Sequence, residues 1–161
     1  MHPNPVDACR PDRRNFLAGA SATAAVAAIA GGAAATAARE RAYAPYSRFK
    51  VGAALLDEQG RIHAGCNVEN AAYPQGACAE AGALSALVLA GGRRLRAALV
   101  VGEGAALCTP CGGCRQRLRE FGSDDLPVLI ADPSGLRARF TLGELLPASF
   151  GPDHLQKDPT P

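Results

Sequence analysis

The sequence predicts an α/β domain, folded as a three-layer α/β/α sandwich around a mixed five-stranded sheet. Two apolar segments, residues 51–56 and 62–68, are joined by the turn sequence Asp57-Glu58-Gln59-Gly60, so we expect them to pair as antiparallel strands. After them, strand-length apolar segments alternate with segments of helical spacing, which is the pattern of strand–helix–strand units. A hairpin followed by such units predicts both the mixed sheet and the helical layers.

Each element has a local signal in the sequence. A first helix should end at residues 39–44, because Pro45 cannot continue it. A second helix over residues 79–90 should end at Gly91-Gly92. The remaining predicted elements are strands at residues 97–101, 128–131 and 137–141 and a helix at residues 111–121.

The first 38 residues differ in composition from the rest of the chain. Arg13-Arg14 and Phe16-Leu17 precede a long run of Ala, Gly, Ser and Thr, and residues 35–37 form an A-x-A sequence. This pattern is typical of a secretory signal, and the paired arginines resemble a twin-arginine export signal. We therefore expect a leader at residues 1–38 that directs export to the periplasm or medium. A simple N-terminal helix on a cytoplasmic protein is the alternative.

The predicted domain spans residues 39–157, followed by a tail at residues 158–161, and we expect residues 152–161 to be mobile or docked on a partner. The net charge is only +2, and no basic stripe or aromatic platform is present, so nucleic-acid binding is not expected. The leader is too weakly hydrophobic for a membrane span, so stable membrane association is not expected either. Three of the six cysteines, Cys9, Cys66 and Cys108, form no obvious disulfide framework.

The other three cysteines and one glutamate form the pattern that bears most directly on function. Cys78 is followed by Glu80, and Cys111 and Cys114 form a C-x-x-C pair directly after Pro110. The pair can chelate zinc from one helical turn, and Cys78 can supply a third sulfur. Three protein ligands leave a fourth tetrahedral position for water, and Glu80 could move the proton of that water. This combination indicates hydrolytic chemistry.

Other sites use parts of the same pattern. A C-x-x-C pair alone also occurs in structural zinc sites and redox motifs, and Cys108 or Cys66 could complete a four-cysteine structural site. The complete order C-A-E…P-C-x-x-C favours catalysis, because it matches the signature of zinc-dependent nucleobase deaminases, in which a cysteine can take the first position. The predicted layout also places these thiols at helix N-termini, where we expect lowered pKa values.

Over roughly residues 39–157, the sequence resembles the small homotetrameric cytidine deaminases. The resemblance is carried by Ala42-Tyr43-Ala44-Pro45-Tyr46-Ser47, Asn67-Val68-Glu69-Asn70-Ala71-Ala72-Tyr73-Pro74, Cys78-Ala79-Glu80, Pro110-Cys111-Gly112-Gly113-Cys114-Arg115-Gln116 and Phe150-Gly151-Pro152. It implies hydrolytic deamination of cytidine and 2′-deoxycytidine to uridine and 2′-deoxyuridine with release of ammonia, a reaction of pyrimidine salvage. It also implies one zinc ion per subunit and a homotetramer with shared active sites that take free nucleosides.

The resemblance implies a role for each candidate residue. Glu80 passes a proton from water to N3 of the base and then to the leaving amine. Asn67 and Glu69 bind the sugar 3′-hydroxyl, and alternate residues of one strand do share a face. The residues implied to pack on the base or line the pocket, some of them in a neighbouring subunit, are Phe49, Ala71, Tyr73 and Phe150. Without the resemblance, Glu69 reads as a solvated strand-end carboxylate, and Phe49 and Phe150 read as core.

One position departs from the family pattern. Three-cysteine members commonly carry an arginine after the catalytic glutamate, and this sequence has Ala81 there. Zinc with three thiolates has a net negative charge, so a nearby cation should offset it, and Arg115 is the candidate nearest in sequence. Two alternatives to cytidine deamination are an enzyme for another aminopyrimidine nucleoside, of the blasticidin-S type, and a non-catalytic zinc module with Cys108 as fourth ligand.

Overall fold

Strands and helices alternate along the chain after a long first helix. The computed structural model describes residues 22–155, with side chains from residue 31 onward. Its elements are α1 (Ala22–Glu40), β1 (Val51–Asp57), β2 (Ile62–Cys66), α2 (Ala79–Leu89), β3 (Leu95–Gly102), α3 (Gly112–Arg119), β4 (Pro127–Asp132), β5 (Gly135–Thr141) and α4 (Leu142–Leu145). None of the helices in this part of the chain has the length and hydropathy that a membrane crossing needs.

The five strands form one sheet in the order β2-β1-β3-β4-β5. Strands β3 and β4 are parallel, and the other neighbours are antiparallel, so the sheet is mixed as predicted. Both faces are covered, which explains why the central strands β1 and β3 are apolar along nearly their whole length. The second strand ends at Cys66, two residues before the predicted end.

Two apolar clusters, one on each face of the sheet, give the molecule its three layers. Helix α1 covers one face, where Ala35 packs with Ala54, Leu56, Leu99 and Val101. Helices α2 and α3 cover the opposite face, whose cluster includes Ala53, Leu55, Ala83, Leu87, Val100 and Leu118. The predicted α/β/α sandwich is therefore confirmed. Its second helical layer carries the candidate zinc ligands.

Helix α1 is packed tightly against strand β1. Ala35 is fully buried, and a Cβ atom on Gly52 would lie 1.9 Å from the Ala35 carbonyl oxygen, so only glycine allows this approach. Arg39 is also buried and pairs with Glu103. The expected leader boundary after residue 38 thus falls inside a packed helix. The Arg13-Arg14 motif and the predicted tail at residues 158–161 lie outside the described residues.

The last described residues of the predicted domain are folded onto α3. Pro152–His154 forms one turn of 3₁₀ helix, and Arg119 Nη2 donates to Asp153 Oδ2 at 3.2 Å. A Cβ atom on Gly151 would lie 2.6 Å from the Arg119 guanidinium carbon. Residues 152–154 thus contact α3 of the same chain, and the mobility or partner docking of the segment from residue 152 stays a prediction.

Candidate active site

The candidate zinc ligands lie where two helices begin on the same side of the sheet. Cys78 is the N-cap residue of α2, Cys111 is the N-cap residue of α3, and Cys114 lies in the first turn of α3. The start of α2 packs closely over Gly65 of β2. A Cβ atom at Gly65 would lie 2.5 Å from the Ala79 carbonyl oxygen, so the helix can approach the strand this closely only over glycine.

The fold brings the three cysteine sulfurs together. The sulfurs of Cys78, Cys111 and Cys114 all lie within 4.8 Å of one another, and those of Cys78 and Cys111 are 3.7 Å apart. Tetrahedral zinc with bonds of about 2.3 Å to sulfur needs sulfurs about 3.8 Å apart, so the spacing fits this ion. Among the described residues, Cys66 and Cys108 do not join the group. The structure therefore favours three protein ligands over a four-cysteine structural site.

The three thiols differ in their pKa values. Burial raises the pKa of Cys111, but hydrogen bonds from the Cys114 backbone and from the neighbouring thiols more than offset it, so the pKa lies below its usual value. Burial, followed by the negative charges of Glu80 and the other thiols, raises the pKa of Cys114. Burial also raises the pKa of Cys78. The predicted lowering by helix N-termini therefore holds only at Cys111. A divalent cation such as zinc would offset the repulsion between the negative charges of the ionised thiols and Glu80.

Glu80 lies in the first turn of α2 and faces a small cavity beside the thiols. The side chain is nearly buried, with 4% of the residue exposed. The cavity has a volume of about 270 Å³. Its lining comes from the end of the hairpin, the start of α2 and the loop before α3: Val51, Asn67, Val68, Glu69, Gly76, Ala77, Cys78, Ala79, Glu80, Cys108, Thr109 and Cys111. A carboxylate and two of the candidate ligands thus share one pocket with polar side chains opposite.

Asn67 and Glu69 lie on the extended segment that follows β2. Val68, between them, forms isolated bridges to Tyr43 and Ala77, which holds this segment across the cavity. Both side chains line the same cavity, as the alternation along a strand predicted. Asn67 Oδ1 accepts from the Val51 N–H at 2.8 Å, and its Nδ2 donates to the Phe49 carbonyl at 2.9 Å. The amide keeps one further donor hydrogen and one lone pair for a ligand.

The Glu69 carboxylate is held by the loop before β1. It accepts from the Ser47 hydroxyl, from the Tyr46 N–H at 2.8 Å and from the Ser47 N–H at 3.2 Å. The hydrogen bond from the Ser47 hydroxyl is the main reason that the pKa of Glu69 lies below its usual value. A carboxylate offers about four acceptor positions, so the group is ionised, oriented and still able to accept from a ligand hydroxyl.

A second, outer cavity adjoins the first. Its volume is about 370 Å³, and it shares Glu69 and Gly76 with the inner cavity. Tyr73 lines this outer cavity and contacts Tyr46 edge to face, with ring centroids 6.3 Å apart. Tyr73 is 79% exposed, so its outer surface is open. Of the other predicted lining residues, Ala71 is exposed and lines neither cavity.

The two candidate phenylalanines are not core residues. Phe49 is 45% exposed and its ring lies near Gly102, as does the cavity residue Cys108, but Phe49 itself lines neither cavity. Phe150 is 56% exposed, stacks on His154 and lines a separate surface cavity with Gln116, away from the cavity of its own chain. The core alternative is therefore wrong for both residues. Phe150 therefore lines neither the inner nor the outer cavity of its own chain.

Arg115 hydrogen-bonds to oxygens of the loop before α3 and of α4. Its guanidinium donates to the Pro110 carbonyl at 2.7 Å, to the Leu145 carbonyl at 2.7 Å and to the Thr109 hydroxyl at 3.1 Å. None of its hydrogen bonds within residues 31–155 goes to a cysteine sulfur. Oxygens occupy the donors of the Arg115 guanidinium, so its predicted place around the zinc site does not involve a hydrogen bond to sulfur, and its effect on the thiolate charge stays a prediction.

Sequence reasoning missed Ser47, Val51 and Thr109. Ser47 orients Glu69, while Val51 and Thr109 line the inner cavity. Ser47 lies within a motif that carries the resemblance and Val51 starts a predicted strand, but a serine in a turn and a valine in a strand have ordinary local explanations. Thr109, directly before Pro110, had no signal of its own. These roles depend on contacts between segments distant in sequence.

Known proteins are similar to this chain in sequence and in fold. The family model for the cytidine and deoxycytidylate deaminase zinc-binding region matches residues 31–130. The cytidine deaminase of Sporosarcina psychrophila is 44% identical over 118 residues, which are 73% of this chain and 87% of that protein. The cytidine deaminase of Mycobacterium tuberculosis is 50% identical over 125 residues, or 77% and 90% of the two chains.

A solved structure gives the same result for the fold. The crystal structure of cytidine deaminase from Burkholderia pseudomallei superposes with a TM-score of 0.69 at 48% identity, covering 73% of this chain and 94% of that one. The family model also includes Cys78, Glu80, Cys111 and Cys114 within its matched range. A match over more than half of the chain, together with relatives this similar, shows that the chain belongs to the cytidine deaminase family.

Proposed function

We propose that this chain catalyses the zinc-dependent hydrolytic deamination of cytidine and 2′-deoxycytidine to uridine and 2′-deoxyuridine, with release of ammonia. One observation carries the proposal: Cys78, Cys111 and Cys114 converge within 4.8 Å, and Glu80 faces the same small cavity. The relatives at 44% and 50% identity are cytidine deaminases. The donor set fits zinc, one ion for each subunit, held by these three cysteines.

When bound, zinc supplies Lewis-acid chemistry that makes water a nucleophile near neutral pH. Glu80 lies at the start of α2 and lines the same cavity as Cys78 and Cys111. Its carboxylate takes a proton from the attacking water, delivers it to N3 of the base and then assists departure of the amine. General acid–base catalysis of this kind contributes about 10²–10⁴-fold to the rate.

The opposite wall of the cavity binds the sugar in this proposal. Asn67 retains a free donor hydrogen, and the ionised Glu69 retains an acceptor position, so together they suit a hydroxyl group. The outer cavity, with Tyr73 and Tyr46 at its wall, gives the sugar a route to solvent. Phe49, whose ring lies near Gly102, packs near the base in this proposal.

The first experiment follows the ultraviolet absorbance of cytidine and 2′-deoxycytidine with the purified full-length chain, and zinc is assayed on the same sample. We expect loss of the cytidine band, release of one ammonia per turnover and about one zinc per chain. Full zinc occupancy without turnover of either nucleoside would contradict the proposal. In that case, turnover of blasticidin S would identify the alternative substrate class.

We further propose that the active protein is a homotetramer in which neighbouring subunits complete each site. Phe150 is exposed and lines neither cavity of its own chain, and Ala71 and Tyr73 are exposed on the loop beside the outer cavity. Sedimentation equilibrium of the full-length chain tests the assembly. A tetramer whose activity falls on Phe150→Ala, with zinc content unchanged, is the expected result. An active monomer would contradict it.

We also propose that the chain is exported through a twin-arginine signal. Only the sequence supports this: Arg13-Arg14 precede Phe16-Leu17 and an Ala-rich run. Fractionation of cells that express the full chain, compared with an Arg13→Lys and Arg14→Lys variant, tests the proposal. Accumulation outside the cytoplasm that the lysine variant abolishes is expected. A cytoplasmic location for both chains would favour the cytoplasmic alternative.

A further inference from the structure

The loop between β3 and α3 forms one wall of the active-site cavity and leads into the ligand Cys111. Cys108 and Thr109 of this loop line the cavity directly before the ligand. Its residues 103–110 contain no helix or strand, so their backbone groups depend on contacts from other elements. Those contacts come largely from arginines.

Three arginines from three elements hold this loop. Arg39 of α1 pairs with Glu103 at the start of the loop. Arg137 of β5 donates to the carbonyls of Gly104 and Ala105, each at 2.7 Å. Arg115 of α3 holds the last two residues before Cys111. Of the three arginines, Arg115 therefore binds the residues that lie nearest in sequence to the candidate ligand Cys111.

Arg115 joins the loop to a second segment of the chain. Its Nε donates to the Pro110 carbonyl and its Nη1 to the Leu145 carbonyl, each at 2.7 Å, and its Nη2 donates to the Thr109 hydroxyl at 3.1 Å. Leu145 is the last residue of α4. The Arg115 backbone N–H also donates to the Cys111 carbonyl at 2.9 Å. One residue thus fixes the two positions before the ligand against α4.

We infer that Arg115 is a positioning residue for the zinc site. It holds Pro110 and Thr109 so that the Cys111 thiol points at Cys78 and the Thr109 side chain stays on the cavity wall. It acts through the backbone and a hydroxyl, without touching a sulfur. This role rests on the proposed zinc-dependent function and deepens it, because it names what keeps one ligand in place.

The shape of the guanidinium, and not its charge, is what the inferred role requires. Three oxygens lie around one planar group that presents donors in fixed directions, and a lysine ammonium cannot reach all three from one nitrogen. If Arg115 acted only as a cation near the thiolates, Arg115→Lys would preserve its effect. If it acts by positioning, Arg115→Lys should behave much like the uncharged Arg115→Gln.

The test measures the rate of zinc release from the purified full-length protein to a chromogenic chelator at neutral pH. We expect Arg115→Lys and Arg115→Gln both to release zinc about 10- to 100-fold faster than the wild type, the usual range for residues that orient metal ligands. Arg117→Lys is the matched control, because Arg117 lies on the same helix, is exposed and makes no described side-chain hydrogen bond. Its release rate should equal that of the wild type.

Rescue by lysine, with release within twofold of the wild-type rate, would overturn the inference. Thr109→Val gives a second test if the Arg115 variants do not fold, since it removes one hydrogen bond and keeps the side-chain shape. We expect it to speed zinc release about fivefold, and an unchanged rate would overturn the inference in that case. Zinc release is measured without turnover. If the chain binds zinc but leaves cytidine intact, the proposed function is contradicted, and the release rates still test the role of Arg115.

Discussion

Glu80 is the side chain on which the proposed chemistry depends most. Its carboxylate is nearly buried on the cavity wall beside the three thiols. Glu80→Gln keeps the shape and removes the proton acceptor, so we expect zinc content to be unchanged and kcat for cytidine to fall by about 10²–10⁴-fold. Glu120→Gln is the control, because Glu120 is exposed at the end of α3, outside this cavity. A Glu80→Gln variant with the wild-type kcat would refute the assignment.

Glu69 combines a local structural contact with a proposed contact to substrate. We expect Glu69→Gln to lower kcat/KM for cytidine by about 10- to 100-fold, the value of a hydrogen bond to a charged group, and to have much less effect with 3′-deoxycytidine, which lacks the hydroxyl. Ser47→Ala separates the two contacts, because it removes the loop's hydroxyl donor and leaves the carboxylate. Equal losses with both nucleosides would show that Glu69 only holds the loop.

At the scale of single residues, the sequence predicted which side chains carry the chemistry better than it predicted which groups they contact. Cys78, Cys111, Cys114 and Glu80 could be found because metal chemistry restricts which residue types occur at which spacing. The three predicted ligands converge and Glu80 faces their cavity, whereas the substrate-binding roles stay predictions. The partners of Arg115 could not be predicted, because distance along the sequence does not show which acceptors surround a side chain, and here its donors bind two carbonyls and a hydroxyl.

The contact between β2 and α2 sets the position of the site at the scale of elements. A Cβ atom on Gly65 would lie 2.3 Å from the Ala83 backbone nitrogen. We expect Gly65→Ala to push the start of α2 outward, lowering the free energy of unfolding by about 1–3 kcal/mol and speeding zinc release. Gly82→Ala, on the facing helix with its nearest neighbours at 3.7 Å, should be neutral or stabilising. Equal behaviour of the two variants would refute this account of α2.

The β1–β2 hairpin contains a buried ion pair that should make stability depend on pH. Burial raises the pKa of Asp57, but hydrogen bonds from His63, Arg61 and the Gln59 N–H more than offset it, so the pKa lies well below its usual value. A pKa lowered in the folded state gives stability that is present above about pH 4 and is lost as the pH falls further. We expect urea unfolding of Asp57→Asn to show lower stability at pH 7 and a shallower decline between pH 5 and 2. The exposed Asp125→Asn should keep the wild-type slope.

At the scale of elements, the pattern of apolar residues located all five strands and the two helices of the site, but it missed the short helix α4 and misplaced some element ends. The second strand ends at Cys66. Beyond it, Val68 forms bridges to Tyr43 and Ala77, so the chain leaves the ladder with β1. The segment at Pro152–His154 is ordered by Arg119, a contact across 34 positions of sequence. The spacing of apolar residues shows which face of a helix or strand is buried, but it does not show such polar contacts between distant segments.

The whole molecule depends on α1 as one of its three layers, although its Ala-rich sequence resembled a leader. Small residues let α1 approach β1 closely, so the same alanines suit a signal body and a packed helix. A chain that begins at residue 31 keeps Ala34 and Ala35 on the sheet, whereas a chain that begins at residue 38 leaves Ala54, Leu56 and Leu99 without that cover. Composition alone could not distinguish these cases.

We therefore expect residues 31–161 to fold with full zinc content and residues 38–161 to melt at least about 5 °C lower or to aggregate. Thermal unfolding of the two chains, together with their zinc content, makes the comparison. Equal melting temperatures would show that the packed part of α1 is dispensable. The expected difference would mean that cleavage after Ala37 destroys the layer on which β1 rests. An exported protein that is active must then be cut before residue 31 or keep its leader.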